Sequence, residues 1–281
     1  MRIGTTTMVF WNDPASEAVR KIADAGFDAA EIWIEHVDRL GDENEYERVA
    51  RALAQTGLAA TVHCPILDLN ITSPNAGIRA ESLRQQIRAL RKARDLGAEL
   101  FVLHPGRVAT QWDDLDEHRR LQREALERLL EEADALGMRI GFENMEVRNP
   151  LHTVKTADDM LQALAPFSHP LLGVTLDIAH LGDQQLCADF IRRLGPRLFH
   201  VHASDAADDG RPHLPLGTGV LDLAEIVREL RAQNYRGLLS LEVVIPGGDV
   251  ERLRREGEKA RQALRSSAAG PENPAATRPT C

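Results

Sequence analysis

Short apolar runs alternate along the chain with longer segments in which apolar residues recur every three to four positions. The first of these signals are compact: Arg2 to Val9 reads as a strand, and Pro14 to Ala25 as a helix with proline near its start and Gly26 at its end. Asp28 to Glu35 then alternates as a strand, Glu45 to Gln55 is helical up to Gly57, and Leu58 to His63 is strand-like. Ile78 to Leu96 carries a helical period that stops at Gly97, followed by a strand from Glu99 to His104. The same rhythm continues with helices over Leu115 to Leu136, Thr156 to Leu164, Gln184 to Leu194, Leu221 to Gln233 and Asp249 to Leu264. Between them lie strands over Met138 to Asn144, Leu172 to Asp177, Arg197 to His202 and Leu238 to Val244. Eight strands alternating with eight helices predict the α/β class and one (β/α)8 TIM barrel over residues 1–265. An open doubly wound sheet would show a glycine-rich phosphate turn after its first strand, and Met8-Val9-Phe10-Trp11 has none. Residues 266–281 are rich in Ala, Pro, Ser and Gly and are expected to form a disordered tail.

Composition narrows the class without changing the architecture. At 43% hydrophobic and 27% charged residues, the chain has the make-up of a globular protein with a sizeable core. A formal charge of −9 argues against a surface that grips polyanions by bulk charge. Cys64, Cys187 and Cys281 are widely spaced with no CxxC, the pattern of reduced thiols rather than of a disulfide framework. No apolar run approaches the roughly 18 residues of a spanning helix, so no membrane association is expected and the cytoplasm is the expected location.

The candidate chemistry lies at the strand ends, where a barrel of this type carries its active site. Reading those ends gives Glu31, Glu35, His63, His104, Glu143, Asp177, His202 and Glu242, with His180 and His213 on adjoining loops. One such His or Asp is usually a loop hydrogen-bonder, but so many at one end of a barrel predict a metal pocket. Imidazole with carboxylate suits Zn2+, Mn2+ or Fe2+. Trp11, Trp33 and Trp112 are weaker candidates for a substrate wall, since packing is the usual role of tryptophan. Cys64 alternates away from His63 and reads as buried packing; His200 shares the face of His202. His36, His118, His152 and His169 follow no pattern and read as surface residues.

Val62-His63-Cys64-Pro65-Ile66-Leu67-Asp68-Leu69-Asn70, Val102-Leu103-His104-Pro105-Gly106, Phe142-Glu143-Asn144, Leu176-Asp177-Ile178-Ala179-His180, Val201-His202-Ala203-Ser204-Asp205, His213-Leu214-Pro215-Leu216-Gly217-Thr218-Gly219 and Leu241-Glu242 fall in order on successive strands. In this the chain resembles the xylose isomerase-like TIM barrels, a superfamily that holds sugar isomerases and epimerases as well as endonuclease IV. The resemblance implies one metal site from Glu143, Asp177, His202 and Glu242. In the isomerase branch it implies proton exchange by Glu143 and Glu242, with Glu31, His180 and Arg211 as substrate residues. In the endonuclease IV branch it implies a second ion on His63, His104 and a bridging Glu143. A third ion there would use His180 and His213 with an Asp, where this chain has Arg211.

The leading expectation is a dinuclear phosphoester hydrolase: two ions about 4 Å apart activate a water and stabilise the leaving oxygen, and His63 with His104 argues for the second ion. Glu143, Glu242 and His180 are then the catalytic candidates, and Arg211, His213, His180, Glu31 and His200 the substrate-binding ones. The expected substrate is a small-molecule phosphoester or sugar phosphate, not DNA. Ile66 stands where endonuclease IV places an intercalating aromatic, and basic stretches are lacking. The alternative is a mononuclear sugar or sugar phosphate isomerase/epimerase, and a third possibility is a non-catalytic sugar- or metal-binding barrel. One or two divalent ions per chain are expected in the enzymes; the sequence does not specify substrate or oligomeric state.

Overall fold

The computed structural model describes residues 1–42 and 44–267. The first half of the chain runs β1 (Arg2–Thr6), α1 (Ala15–Asp24), β2 (Ala29–Trp33), α2 (Ile34–Asp38), α3 (Glu45–Thr56), β3 (Ala59–His63), α4 (Ala76–Asp95), β4 (Phe101–Leu103) and α5 (Leu115–Leu136). The second half runs β5 (Ile140–Glu143), α6 (Ala157–Leu164), β6 (Leu172–Asp177), α7 (Ile178–Leu181), α8 (Gln184–Leu194), β7 (Leu198–Ala203), α9 (Leu223–Ala232), β8 (Leu238–Leu241) and α10 (Val250–Ser266). All eight strands pair in parallel and in chain order, and β8 closes on β1, giving the expected (β/α)8 barrel.

The chemistry of the segment ends explains the boundaries. Asn75, Asp114, Asp183, Asp222 and Asp249 each accept two amide hydrogen bonds at the start of a helix, supplying partners for N–H groups that the helix leaves free. The strands are shorter than their apolar runs suggest. Thr7 to Phe10 turns into a 3-10 helix, and the run after Trp33 becomes α2. The other unexpected helix is α7, one turn directly after β6. Ser266, placed in the tail by the sequence, belongs to α10; residues 268–281, which hold the rest of the expected tail, lie outside the described residues.

Strand alternation divides the core into two environments. Ile32, Val62, Phe142, Val174, Leu176, Val201 and Leu239 join the apolar layer beneath the helices. Their neighbours, Glu31, Thr61, Thr175, His200, His202 and Ser240, are buried on the opposite strand face, inside the barrel. Barrel interiors are usually filled by branched apolar side chains, so this polar filling is a first mark of the site. Gly141 makes room for it: a Cβ there would lie 2.3 Å from Thr175 Oγ1.

Candidate metal centre

Asp177 ends β6 and caps α7, where its Oδ1 accepts from the Ala179 and His180 amides at 2.7 and 3.0 Å. That double duty sets the three-residue spacing from Asp177 to His180 and leaves Oδ2 free to face the barrel axis. Asn144 locks the position: its side chain accepts from the Asp177 amide at 2.8 Å and donates to the Asp177 carbonyl at 3.0 Å. Across the ladder Asp177 pairs with His202.

His202 Nδ1 is the hub. Glu143 Oε1 lies 3.0 Å from it, Glu242 Oε2 2.9 Å and Asp177 Oδ2 3.8 Å. The potential ligand atoms of these four residues all lie within 4.8 Å of one another. All four residues are buried. Among the described residues, Glu143 Oε2, Asp177 Oδ2 and Glu242 Oε2 have no hydrogen-bond partner. Three carboxylates removed from water in one place cost several kcal/mol each unless a positive charge compensates them. Three oxygen-bearing side chains and one imidazole form a donor set that suits Mn2+ or Zn2+.

The charges balance accordingly. Burial alone would lower the His202 pKa, but Glu31, Glu143 and Glu242 hold it well above the usual histidine range. Burial would raise Glu143 and Glu242, but His202, with His104 for Glu143 and His213 for Glu242, draws both down, Glu242 to about 2. Asp177 moves the other way: burial pushes it up, Glu242 adds to this, and His180 and His213 only partly offset the rise.

Three of the other histidines arrive with one ring nitrogen already committed. The Nδ1 atoms of His63, His180 and His213 lie 2.9, 2.8 and 3.1 Å from the carbonyl oxygens of Cys64, Asn144 and Glu242. A carbonyl only accepts, so Nδ1 carries the proton and Nε2 is left to the pocket. His104 Nε2 lies 3.0 Å and His63 Nε2 3.8 Å from Glu143 Oε2, so these two residues meet Glu143 as expected. His180 and His213 meet edge to face at 5.2 Å and form a further group with Asp177. Burial would lower His180, but Asp177 and Glu143 raise it to about 9. Arg211 is exposed on the loop after β7.

Several positions differ from expectation. Glu31 was read as a substrate contact and His200 as either a substrate contact or a support behind a ligand; both are buried beside His202. Glu31 Oε2 accepts from Thr61 Oγ1 and from His200 Nε2, at 3.0 and 2.7 Å. Glu35 accepts from the Ile66 and Leu67 amides, both at 2.5 Å, and so anchors the loop after β3. The three tryptophans form no common wall: Trp33 stacks on His63 at 4.3 Å, Trp11 stacks on His36, and Trp112 is 83% exposed. His36 and His118 are buried rather than on the surface, each with a ring nitrogen 2.8 Å from an oxygen partner. Cys64 is buried as expected and accepts the His104 amide at Sγ.

Residues 19–268 match the model of the xylose isomerase-like TIM barrel family. Fructoselysine 3-epimerase of Escherichia coli O157:H7 is 26% identical over 280 residues, 94% of this chain and 96% of that protein. The solved structure of 3-keto-D-glucoside 4-epimerase from E. coli has a TM-score of 0.78 at 25% identity, covering 93% of this chain and 99% of the other. A D-tagatose 3-epimerase-like protein has the same fold, with a TM-score of 0.83 at 24% identity over 95% and 98% of the two chains. These likenesses overturn the phosphoester-hydrolase expectation: the two enzymes named above, matched along nearly their full length, are sugar epimerases. The expectation rested on His63 and His104 as a second ion site, yet two histidines beside Glu143 Oε2 can equally well orient that carboxylate. The chain belongs to the xylose isomerase-like TIM barrel family.

Proposed function

We propose that the protein is a divalent-metal-dependent epimerase or isomerase of a small keto sugar or sugar phosphate. The observation that carries this is the convergence of Glu143 and Glu242 on one nitrogen, His202 Nδ1, at 3.0 and 2.9 Å, from the ends of β5 and β8. Asp177, His202 and these two glutamates would hold Mn2+ or Zn2+. When bound, the ion would polarise neighbouring substrate oxygens. The similarity to fructoselysine 3-epimerase and 3-keto-D-glucoside 4-epimerase supports this chemistry.

The carboxylates do the proton work. One glutamate takes the proton from a carbon beside the substrate carbonyl; the C–H bond breaks and its electron pair passes onto the carbonyl oxygen. The other relays a proton from solvent to the opposite face of that carbon as the carbonyl re-forms. The configuration inverts, and the two glutamates reset through solvent. His180, His213 and Arg211 would hold substrate hydroxyls. One ion per chain is the expected stoichiometry; the grouping of His63, His104 and Glu143 within 4.8 Å favours a second ion as the other outcome of an ion count.

The test is turnover of a ketose and 3-keto-glycoside panel with Mn2+ in D2O. One deuterium should enter the inverted carbon, and Glu143→Gln or Glu242→Gln should lower kcat by roughly 10²- to 10⁴-fold. Epimerised product without deuterium, with both variants fully active, would overturn the assignment.

A further inference from the structure

Three of the mouth histidines set their tautomer with a backbone carbonyl, but His202 does not. Its Nδ1 faces Glu143, Glu242 and Asp177, while its Nε2 lies 2.9 Å from Glu31 Oε1. Both residues are fully buried, and Oε1 sits to one side of the ring's N–H direction, so the contact is close but bent. Nδ1 also lies 3.0 Å from Glu143 Oε1, so carboxylates face both ring nitrogens; with an ion on Nδ1 the proton must sit on Nε2, because two lone pairs facing each other beside Glu31 Oε1 without water would repel. A neutral His202 then offers its lone pair at Nδ1, the nitrogen that faces the three carboxylates. Glu31 is itself fixed, because its second oxygen accepts from Thr61 Oγ1 and His200 Nε2.

We infer that Glu31 is a positioning residue of the metal centre, holding His202 in the tautomer and ring orientation that present Nδ1 to the ion, with Thr61 and His200 holding Glu31 in turn. This rests on the metal centre proposed above and replaces substrate contact as the role of Glu31. Carboxylates behind a ligand histidine generally raise its basicity and fix its ring, and removing them weakens metal affinity about 10- to 100-fold. A structural role alone would give a different result: loss of folding stability with unchanged affinity in the molecules that remain folded.

The test compares full-length wild type, Glu31→Gln and Thr61→Val by Mn2+ titration and by 15N-histidine NMR, with circular dichroism confirming the fold. Glu31→Gln keeps the shape and an acceptor oxygen but removes the charge; Thr61→Val removes only one of the groups that fix Glu31. The expected results are a Kd about 10- to 100-fold higher for Glu31→Gln, a smaller rise for Thr61→Val, and a His202 Nε2–H signal that shifts in Glu31→Gln. A folded Glu31→Gln variant with a Kd within two-fold of wild type and an unshifted signal overturns the inference while leaving the metal centre intact. If wild type itself binds neither Mn2+ nor Zn2+, the metal reading fails. The Nε2–H signal then still decides the pairing: shifted in Glu31→Gln, Glu31 orients the imidazole alone; unshifted, that role falls too.

Discussion

Glu146 lies just beyond the metal cluster and is tied to His152, whose Nδ1 is 2.7 Å from Glu146 Oε2. Burial would raise the carboxyl, but His152 and the charge of His180 pull it down to about 2. A carboxylate with a depressed pKa stabilises the fold above its unfolded value, near 4.5, and that contribution disappears as pH falls through the folded value near 2. Glu146→Gln is therefore expected to lower Tm at pH 6 to 8, with the gap to wild type closing as the pH approaches 2. A Tm difference independent of pH in thermal melts would show that packing, not charge, is responsible. Legibility at this scale was uneven. The sequence marked Glu143, Asp177, His202 and Glu242 because each ends an apolar run. It misread His152 as a surface residue, because its partner Glu146 lies on the same loop without any periodic pattern. Glu31 was read as a substrate residue from its resemblance to the second-strand glutamate of sugar isomerases; strand alternation gives the face of a side chain, not its depth in the barrel, and so did not place it behind His202.

At the scale of elements, helix and strand order was readable because the longer helices have an apolar stripe and, except α6 with its Thr156 cap, an end signal of Asp, Asn or Gly. α7 was not: four residues are too few for a period, and its cap is also a strand-end carboxylate. β6 and β7 carry two of the four proposed ligands, so their packing bears directly on the site. Gly173 on β6 shows how tight it is: an added Cβ would lie 2.3 to 2.5 Å from the Phe199 ring, itself stacked by Arg139 at 3.8 Å. Gly173→Ala should therefore cost about 1–3 kcal/mol by overpacking, read as a lower denaturation midpoint. It should also weaken Mn2+ binding, because β6 cannot shift without moving Asp177. Unchanged stability and affinity would mean that Phe199 swings aside freely.

For the whole molecule, the fold was legible because eight repeats of one pattern leave few alternatives to a closed barrel. The choice between hydrolase and epimerase was not legible. Both can use the same carboxylates and histidines, and the discriminating features lie in how loops shape the substrate space. The polar barrel interior has a thermodynamic consequence if the proposed ion binds there: buried carboxylates that repel one another would be relieved by the cation, and the folded state would be stabilised by it. Ions that bind only the folded protein stabilise it by RT ln(1 + [L]/Kd), about 2.7 kcal/mol at a hundred-fold excess over Kd. Chelation is thus expected to lower Tm and Mn2+ to restore it, while Mg2+, which favours waters and an octahedral oxygen shell, should restore it less. Identical melts in all three conditions would contradict a metal centre in this place. Among the described residues, no helix is long and apolar enough to cross a membrane.

Asp177 and His202 sit opposite each other on neighbouring strands, and each presents its atom on a short arm: Asp177 by a carboxylate one methylene from the backbone, His202 by the nearer of its ring nitrogens. A short arm has few joints with which to absorb an error, so the separation of these two atoms is set almost directly by the strand ladder. Glu143 and Glu242 reach the cluster on longer arms and can adjust their rotamers. The site therefore has a rigid half and a compliant half, and the two should tolerate change differently. Asparagine, whose amide oxygen reaches about as far as Nδ1, is a closer replacement for His202 than glutamine, which reaches about as far as Nε2. The loops around the mouth can diverge between relatives and alter which substrate enters while this pair of strands would keep the proposed ion in place.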